Sequence, residues 1–415
     1  MKHPTKEFLL AATVFSKEPF GVYVGATLID VYQLLIAAAG FMLFIRPDRL
    51  SGLVAVLIGV IVSSLGLFVL YDYPVTNMFV RQVLAVSFIY LGLAAFLVTC
   101  SPQKLAAAYM KVCYIAALFG IAQFCLSAVG INVLLLLPLR LDSFAGEPSH
   151  YAVAMAPCIY YCFRYSRSIR AKRRAAVILG SMVLTVSTTA VAVLSVAFAL
   201  AFYSRRGILV ALMLIVGAPF LMMIPADIFP DVIASRMTDM DSYIESDAEP
   251  WETNNLTVLS FVTNFEVMFK SFVDGRILGN GFCGHAIAYD RLYGGTEFVN
   301  HKRYGMNAPP AHCLLIRIFS EFGVPGALVL GLAVWHFVTN RRADLWCMFF
   351  IMSISGRALK LGSWIDYGLP LFVLGAVYLQ SRPANSKKDQ RQAKLQLRHH
   401  SRRKRRGVTR HASAR

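Results

Sequence analysis

The sequence predicts an all-α, polytopic helical membrane protein with 11–12 transmembrane helices and one large extracytoplasmic loop. Three observations predict it. Hydrophobic residues make up 57% of the 415 positions and charged residues only 15%, which leaves too little polar surface for a water-soluble domain of this size. Apolar runs long enough to cross about 30 Å of hydrocarbon as helix recur from end to end. These runs are continuous rather than alternating, which selects helices over a barrel.

The expected spans lie near 26–45, 53–70, 79–99, 108–129, 150–163, 175–187, 189–204, 207–224, 312–338, 344–356 and 363–380. Basic gaps orient them. Arg46 and Arg49, Lys104, Arg164 to Arg174, Arg205-Arg206, Arg341-Arg342 and the C-terminal tail all fall on one side when the spans are threaded in order, which makes that side the cytoplasm. The N-terminal basic residues lead into a short apolar run, but Lys17-Glu18-Pro19 stands where a cleavage site would need small residues, so this segment is expected to be retained. Whether it crosses the membrane stays open.

The chain therefore divides into an N-terminal transmembrane bundle over 1–224 with an outer loop at 130–149, a large extracytoplasmic loop over 225–311, transmembrane helices over 312–380 and a basic cytoplasmic tail over 381–415. The tail holds thirteen Lys or Arg against Asp389 alone, so it carries +12 of the net +18 and leaves +6 for the rest. Such a run, too polar to fold alone, is expected to be disordered, to fix topology and to meet anionic headgroups; nucleic acid is not the expected partner. In the large loop, eight acidic residues from Asp227 to Glu252 read as a solvated surface. Asp239 and Asp241 lack the glycine and closing Glu of a calcium loop. No metal or cofactor is expected. Six of the eight cysteines sit in or beside apolar spans as small hydrophobes; Cys283 and Cys313 would both face outward, where a disulfide is conceivable.

Two outward segments hold the candidate chemistry. In Arg140-Leu-Asp142-Ser-Phe-Ala-Gly146-Glu147-Pro148-Ser149-His150, Pro148 suits the first turn of a helix, whose N-terminus would then point outward with Glu147 beside it. Glu147 serves there either as a favourable charge at that terminus or as an orienting group for Arg140 or a substrate hydroxyl. Prolines 309 and 310 precede a second inward helix with His312 in its first turn, where the dipole would hold the imidazole neutral and able to act as a general base. An interfacial, capping histidine is the alternative. Arginine beside two helix N-termini makes an anion site. Further along, Pro325 should kink the helix, and Arg317 with Glu321 either lines a cavity there or forms an i, i+4 ion pair. Gly279, Gly281 and Gly284 suit a tight turn or a close approach.

These segments resemble the O-antigen polymerase and O-antigen ligase superfamily of bacterial membrane glycosyltransferases. The likeness rests on Arg140 to Tyr151, on Ser187-Thr-Thr between two short spans, on Ile277 to Gly284, and on His312 followed after ten residues by Gly323-Val-Pro-Gly326. Cys313 departs from the polar residue usual after the histidine. The resemblance implies a multi-pass protein of the bacterial inner membrane that transfers sugar, without a metal, from a polyprenyl-diphosphate-linked oligosaccharide to a saccharide acceptor at the outer leaflet. Arg140 would hold the diphosphate and His312 would take the acceptor proton, while Arg276, Arg291 and Arg303 are candidates for diphosphate or saccharide contacts. A polymerase acting with a flippase and a chain-length regulator is the leading form. The alternatives are a ligase that delivers glycan to lipid A core or protein, a lipid-linked oligosaccharide transporter, which should carry more ionisable residues in its spans than Asp30, and a purely structural assembly factor, which would tolerate loss of Arg140 and His312.

Overall fold

A computed structural model of the chain describes residues 5–24, 27–45, 47–131, 133, 140–166, 168–202, 256–340 and 344–379. The span expected at 207–224, the acidic stretch from Asp227 to Glu252, the pairs Arg205-Arg206 and Arg341-Arg342, and the tail 381–415 lie outside the described residues.

The described residues are mostly helical, as expected. In chain order they form α1 (Lys6–Ala12), strands β1 (Gly21–Val24) and β2 (Thr27–Asp30), α2 (Val31–Phe44), α3 (Pro47–Leu70), α4 (Asn77–Leu97), α5 (Pro102–Ala128), α6 (Pro148–Tyr165), α7 (Ile169–Val183), α8 (Thr188–Ala201), α9 (Leu256–Val273), α10 (Gly284–Tyr293), α11 (Leu314–Asn340), α12 (Leu345–Arg357) and α13 (Leu369–Tyr378). One short antiparallel hairpin, β1–β2, with Gly21 opposite Asp30, stands among the helices. Residues 27–30, read as part of a span, form strand β2 of that hairpin, and Asp30 is the N-cap of α2.

Five described helices are long and apolar enough to cross a membrane: Asp48–Leu70, Asn77–Leu97, Pro102–Ala128, Leu256–Val273 and Leu314–Thr339. Four further apolar helices among the described residues, α2, α8, α12 and α13, are shorter, of 10–17 residues. A 14-residue helix such as α8 is only about 21 Å long. Continuous apolar runs had merged such helices with buried turns. Within the segment expected as a large loop over 225–311, α9 is as apolar as a span and packs along α11.

Helix ends sort into two levels. At one, Lys6 Nζ donates to Thr99 O and Trp346 Nε1 to Pro102 O, while Phe163 near the end of α6 meets Phe198 and Phe202 at the end of α8. The α7–α8 pair is thus a helical hairpin, and its basic start shares a level with the end of α8. At the other level, Lys17 pairs with Asp366 at 2.7 Å, and Tyr367 Oη donates to Ala145 O and to Glu18. Residues 6–17 therefore rise from the first level to the second, with Lys17 and Glu18 held by partners there. Small residues allow the closest packing: a Cβ on Gly40 of α2 would lie 2.0 Å from the carbonyl oxygen of Gly92 in α4.

Candidate functional site

The segment 140–147 is not a solvated outer loop. Arg140, Leu141, Asp142, Ser143 and Ala145 are buried. Ser143 Oγ donates to Ala116 O at 2.7 Å, and Leu141 lies against Gly120. Since α5 continues to Ala128, the segment sits roughly 12 to 18 Å below the end of that helix. Tyr90 Oη, thirteen residues into α4, donates likewise to Trp364 O in the α12–α13 connection. The candidate site is recessed, and short helical hairpins supply its floor.

Arg140 reaches the tip of the α7–α8 hairpin. Its Nη2 donates to Val186 O at 3.2 Å, and Leu141 N donates to Leu184 O at 3.1 Å. Val186 has φ +46°, so this turn leaves carbonyls outside the helical ladder for Arg140 to bind. The Ser187-Thr-Thr step is thus a built feature, with Ser187 the N-cap of α8.

Helix α6 starts at Pro148, with Glu147 as N-cap. Rather than orienting Arg140 among the described contacts, the Glu147 carboxylate accepts from Ser149 Oγ at 3.1 Å and lies 3.5 Å from His150 Nε2 and 3.7 Å from Lys360 Nζ. Burial raises the Glu147 pKa, but His150, Lys360 and the Ser149 hydroxyl outweigh it and hold the carboxyl below its ordinary value.

His312 lies two residues ahead of α11 in the left-handed region, φ +58°, not in the first helical turn. Its neutrality has another cause than the dipole. Burial, and next the positive charge of Lys360, lower its pKa to about 4 against the opposing pull of Glu147. Nδ1 is bonded to Ser260 Oγ of α9 at 2.8 Å, and Asn307 Nδ2 donates to the same hydroxyl at 2.8 Å. Phe261 packs its ring edge-on to the imidazole at 5.7 Å. Nε2 makes no hydrogen bond among the described residues.

A buried polar chain supports this arrangement. Asn264 Nδ2 donates to Ser260 O at 2.6 Å and to Met306 O at 3.2 Å, fixing the backbone beside Asn307. Its Oδ1 accepts from His285 Nε2 at 2.9 Å, and His285 Nδ1 accepts from Ser320 Oγ at 2.7 Å. Burial, with Arg317 adding, pushes the His285 pKa down to about 3, so this imidazole stays neutral and structural.

The predicted arginines divide. Arg276 stacks on Tyr71 and Tyr73 and donates to Tyr73 Oη and, at 3.0 Å, to Asn280 Oδ1. Arg291 lies 4.3 Å over the Tyr73 ring and donates to Asp72 O. Both pack on the α3–α4 turn, at the level of the ends of those helices. Arg303 is half-buried in the turns before His312, and its backbone N–H meets His301 Nδ1. Arg317 and Glu321 form a buried ion pair at 2.9 Å, in which Arg317 also donates to Gln82 Oε1 and Gly362 O, and Glu321 accepts from Trp364 Nε1. This is the i, i+4 ion pair that the spacing allowed, with its charges satisfied within the protein.

Backbone at 277–281 fills the break in α11. Gly323 is non-helical, φ +59°, and Val324 N donates to Ile277 O while Asn280 N and Gly281 N donate to Ser320 O and Glu321 O. Pro325 removes the helical donor to Glu321 O, and Gly281 replaces it. The glycines serve a protein–protein backbone contact, not a ligand. Cys283 and Cys313 are buried free thiols, so the conceivable disulfide between them is not formed. Among the described residues, no group of three or more His, Cys, Asp or Glu is placed to hold a metal ion.

Sequence reading missed Lys360, Arg357, Ser260, Asn264, His285 and Asn307. For Lys360 and Arg357 a signal existed, because two basic residues in a connection expected to face outward run against the positive-inside bias. Lone buried polar residues give no such signal. No protein-family model matches the chain, and no curated protein matches it significantly.

Proposed function

We propose that this protein is a glycosyltransferase of the bacterial inner membrane that polymerises polyprenyl-diphosphate-linked oligosaccharide repeat units into a surface polysaccharide at the outer leaflet. The observation that carries the reading is the convergence, in a recess, of a neutral imidazole with a free nitrogen, a lysine, a carboxylate and the N-terminus of α6. In this reading the acceptor hydroxyl attacks the anomeric carbon of the donor sugar, the carbon–oxygen bond to the diphosphate breaks, and His312 Nε2 takes the hydroxyl proton. Ser260 and Asn307 hold the ring. The leaving diphosphate carries the charge that Arg140 and the α6 N-terminus stabilise.

The test is a gel of cell-surface glycan from cells carrying His312→Ala or Arg140→Ala at normal membrane levels. Single repeat units with no long chains are the expected result. Long chains left on the carrier would mean ligation had failed instead, and normal chains from both variants would remove both residues from the chemistry. Loss of outward display with repeat units held inside would indicate a transporter.

A further inference from the structure

Lys360 lies on a loop fixed at several points. Arg357 donates to the carbonyls of Ser363, Asp366 and Tyr367. Arg317 Nη1 donates to Gly362 O at 3.0 Å, and Gly362 approaches Pro310 so closely that a Cβ would lie 1.6 Å from the Pro310 carbonyl oxygen. Backbone contacts thus hold Lys360 beside the segment that carries His312. Its side chain is 15% exposed, and its carboxylate partner, Glu147, stands at 3.7 Å and is 41% exposed. That separation is longer than a good charge-assisted hydrogen bond, so the pair is loosely held and the ammonium keeps room for a second anionic partner. Glu147 is also the residue ahead of Pro148, so the loose pair sits at the positive end of the 18-residue helix α6.

We propose that Lys360 binds a phosphoryl oxygen of an anionic diphosphate lipid, with Glu147 occupying the position next to the ammonium until that ligand arrives. The proposal rests on the reading of a polyprenyl-diphosphate donor and adds the residue that receives its charge. It has a consequence for the base. The groups facing His312 are Ser260 and Phe261 from α9, Asn307 from the preceding turn, Lys360 from the α12–α13 loop and Glu147 from the start of α6. Lys360 opposes protonation of the ring; a diphosphate bound to the ammonium cancels that opposition, so His312 gains basicity when the donor is present.

The experiment uses the full chain in nanodiscs of neutral lipid with farnesyl diphosphate as probe. The expected result is binding to the wild type, weakening by about 10-fold or more in Lys360→Gln, and retention within about threefold in Lys360→Arg and in His312→Ala. With histidines carrying a carbon label and His312→Ala as the blank, the His312 titration should move to higher pH on adding the probe to the wild type but not to Lys360→Gln. Equal binding by wild type and Lys360→Gln overturns the role of Lys360 and leaves the donor reading standing. A wild type that binds no farnesyl diphosphate overturns both. Displacement of the probe by an equal amount of phosphatidylglycerol would make this a headgroup site and overturn the proposal.

Discussion

Gly279 and Gly323 meet backbone to backbone: a Cβ built on either would lie 2.5 Å from the amide nitrogen of the other. Two glycine motifs separated by more than forty residues are one joint, which seats the Ile277–Gly281 segment in the break of α11 and so sets the course of the helix that follows His312.

Both glycines have positive φ, +82° and +59°. Alanine at either position should cost about 1–2 kcal/mol from backbone conformation alone, and the clash adds to it. Thermal unfolding in detergent should show a large fall for Gly279→Ala and Gly323→Ala. Gly331→Ala, in the same helix with open space around it, should leave stability unchanged or slightly raised.

Acid should destabilise the fold through the neutral imidazoles of His285 and His312. The pKa values of His285 and His312 are lowered from 6.5 to about 3 and about 4, so between those values and 6.5 the unfolded chain binds protons that the folded chain does not. Stability therefore rises with pH up to about 6.5 and falls as pH drops below it, by at most about 1.4 kcal/mol per unit for each residue. Unfolding measured from pH 7 to 4.5 should show this slope, and His285→Gln should flatten it. An unchanged slope would mean that His285 is not the proton-excluding group.

For the buried Arg317–Glu321 pair, Arg317→Met should cost about 3–5 kcal/mol because it strands the carboxylate beside Trp364. Adding Glu321→Gln should recover part of that loss. A double-mutant cycle of unfolding free energies should give a coupling above about 1 kcal/mol, and additive losses would contradict the pairing.

Topology is open to labelling in a cysteine-free background. Arg170→Cys, in the basic start of α7, should react only from the cytoplasmic side, and Glu297→Cys, exposed in the turn after α10, only from outside. Reaction of both from one side would reverse the threading.

Much of the helical framework is legible in the sequence because its signals are local. Apolar runs placed α4 and α11 within two residues at each end, while α3 and α5 begin about six residues earlier than expected, and Pro148 marked the start of α6, since proline at a first turn loses no hydrogen bond. Arg140, Glu147 and His312 stood out because charged or titratable groups are rare in such surroundings. Other features depended on partners distant in sequence. The fates of Arg317 and Glu321 turn on Gln82, Gly362 and Trp364, and nothing at 317–321 announces them.

The sequence by itself determined that this chain is built of apolar helices and where proline and glycine interrupt them, because backbone propensity and hydrophobicity act within a few residues. Tertiary structure alone decided that the 140–147 segment is sunk below the ends of the long helices, that short hairpins floor it, and that Lys360 lies beside Glu147. Those outcomes follow from which helices pack together and how deep their connections sit, and packing is a property of the whole chain rather than of any one stretch.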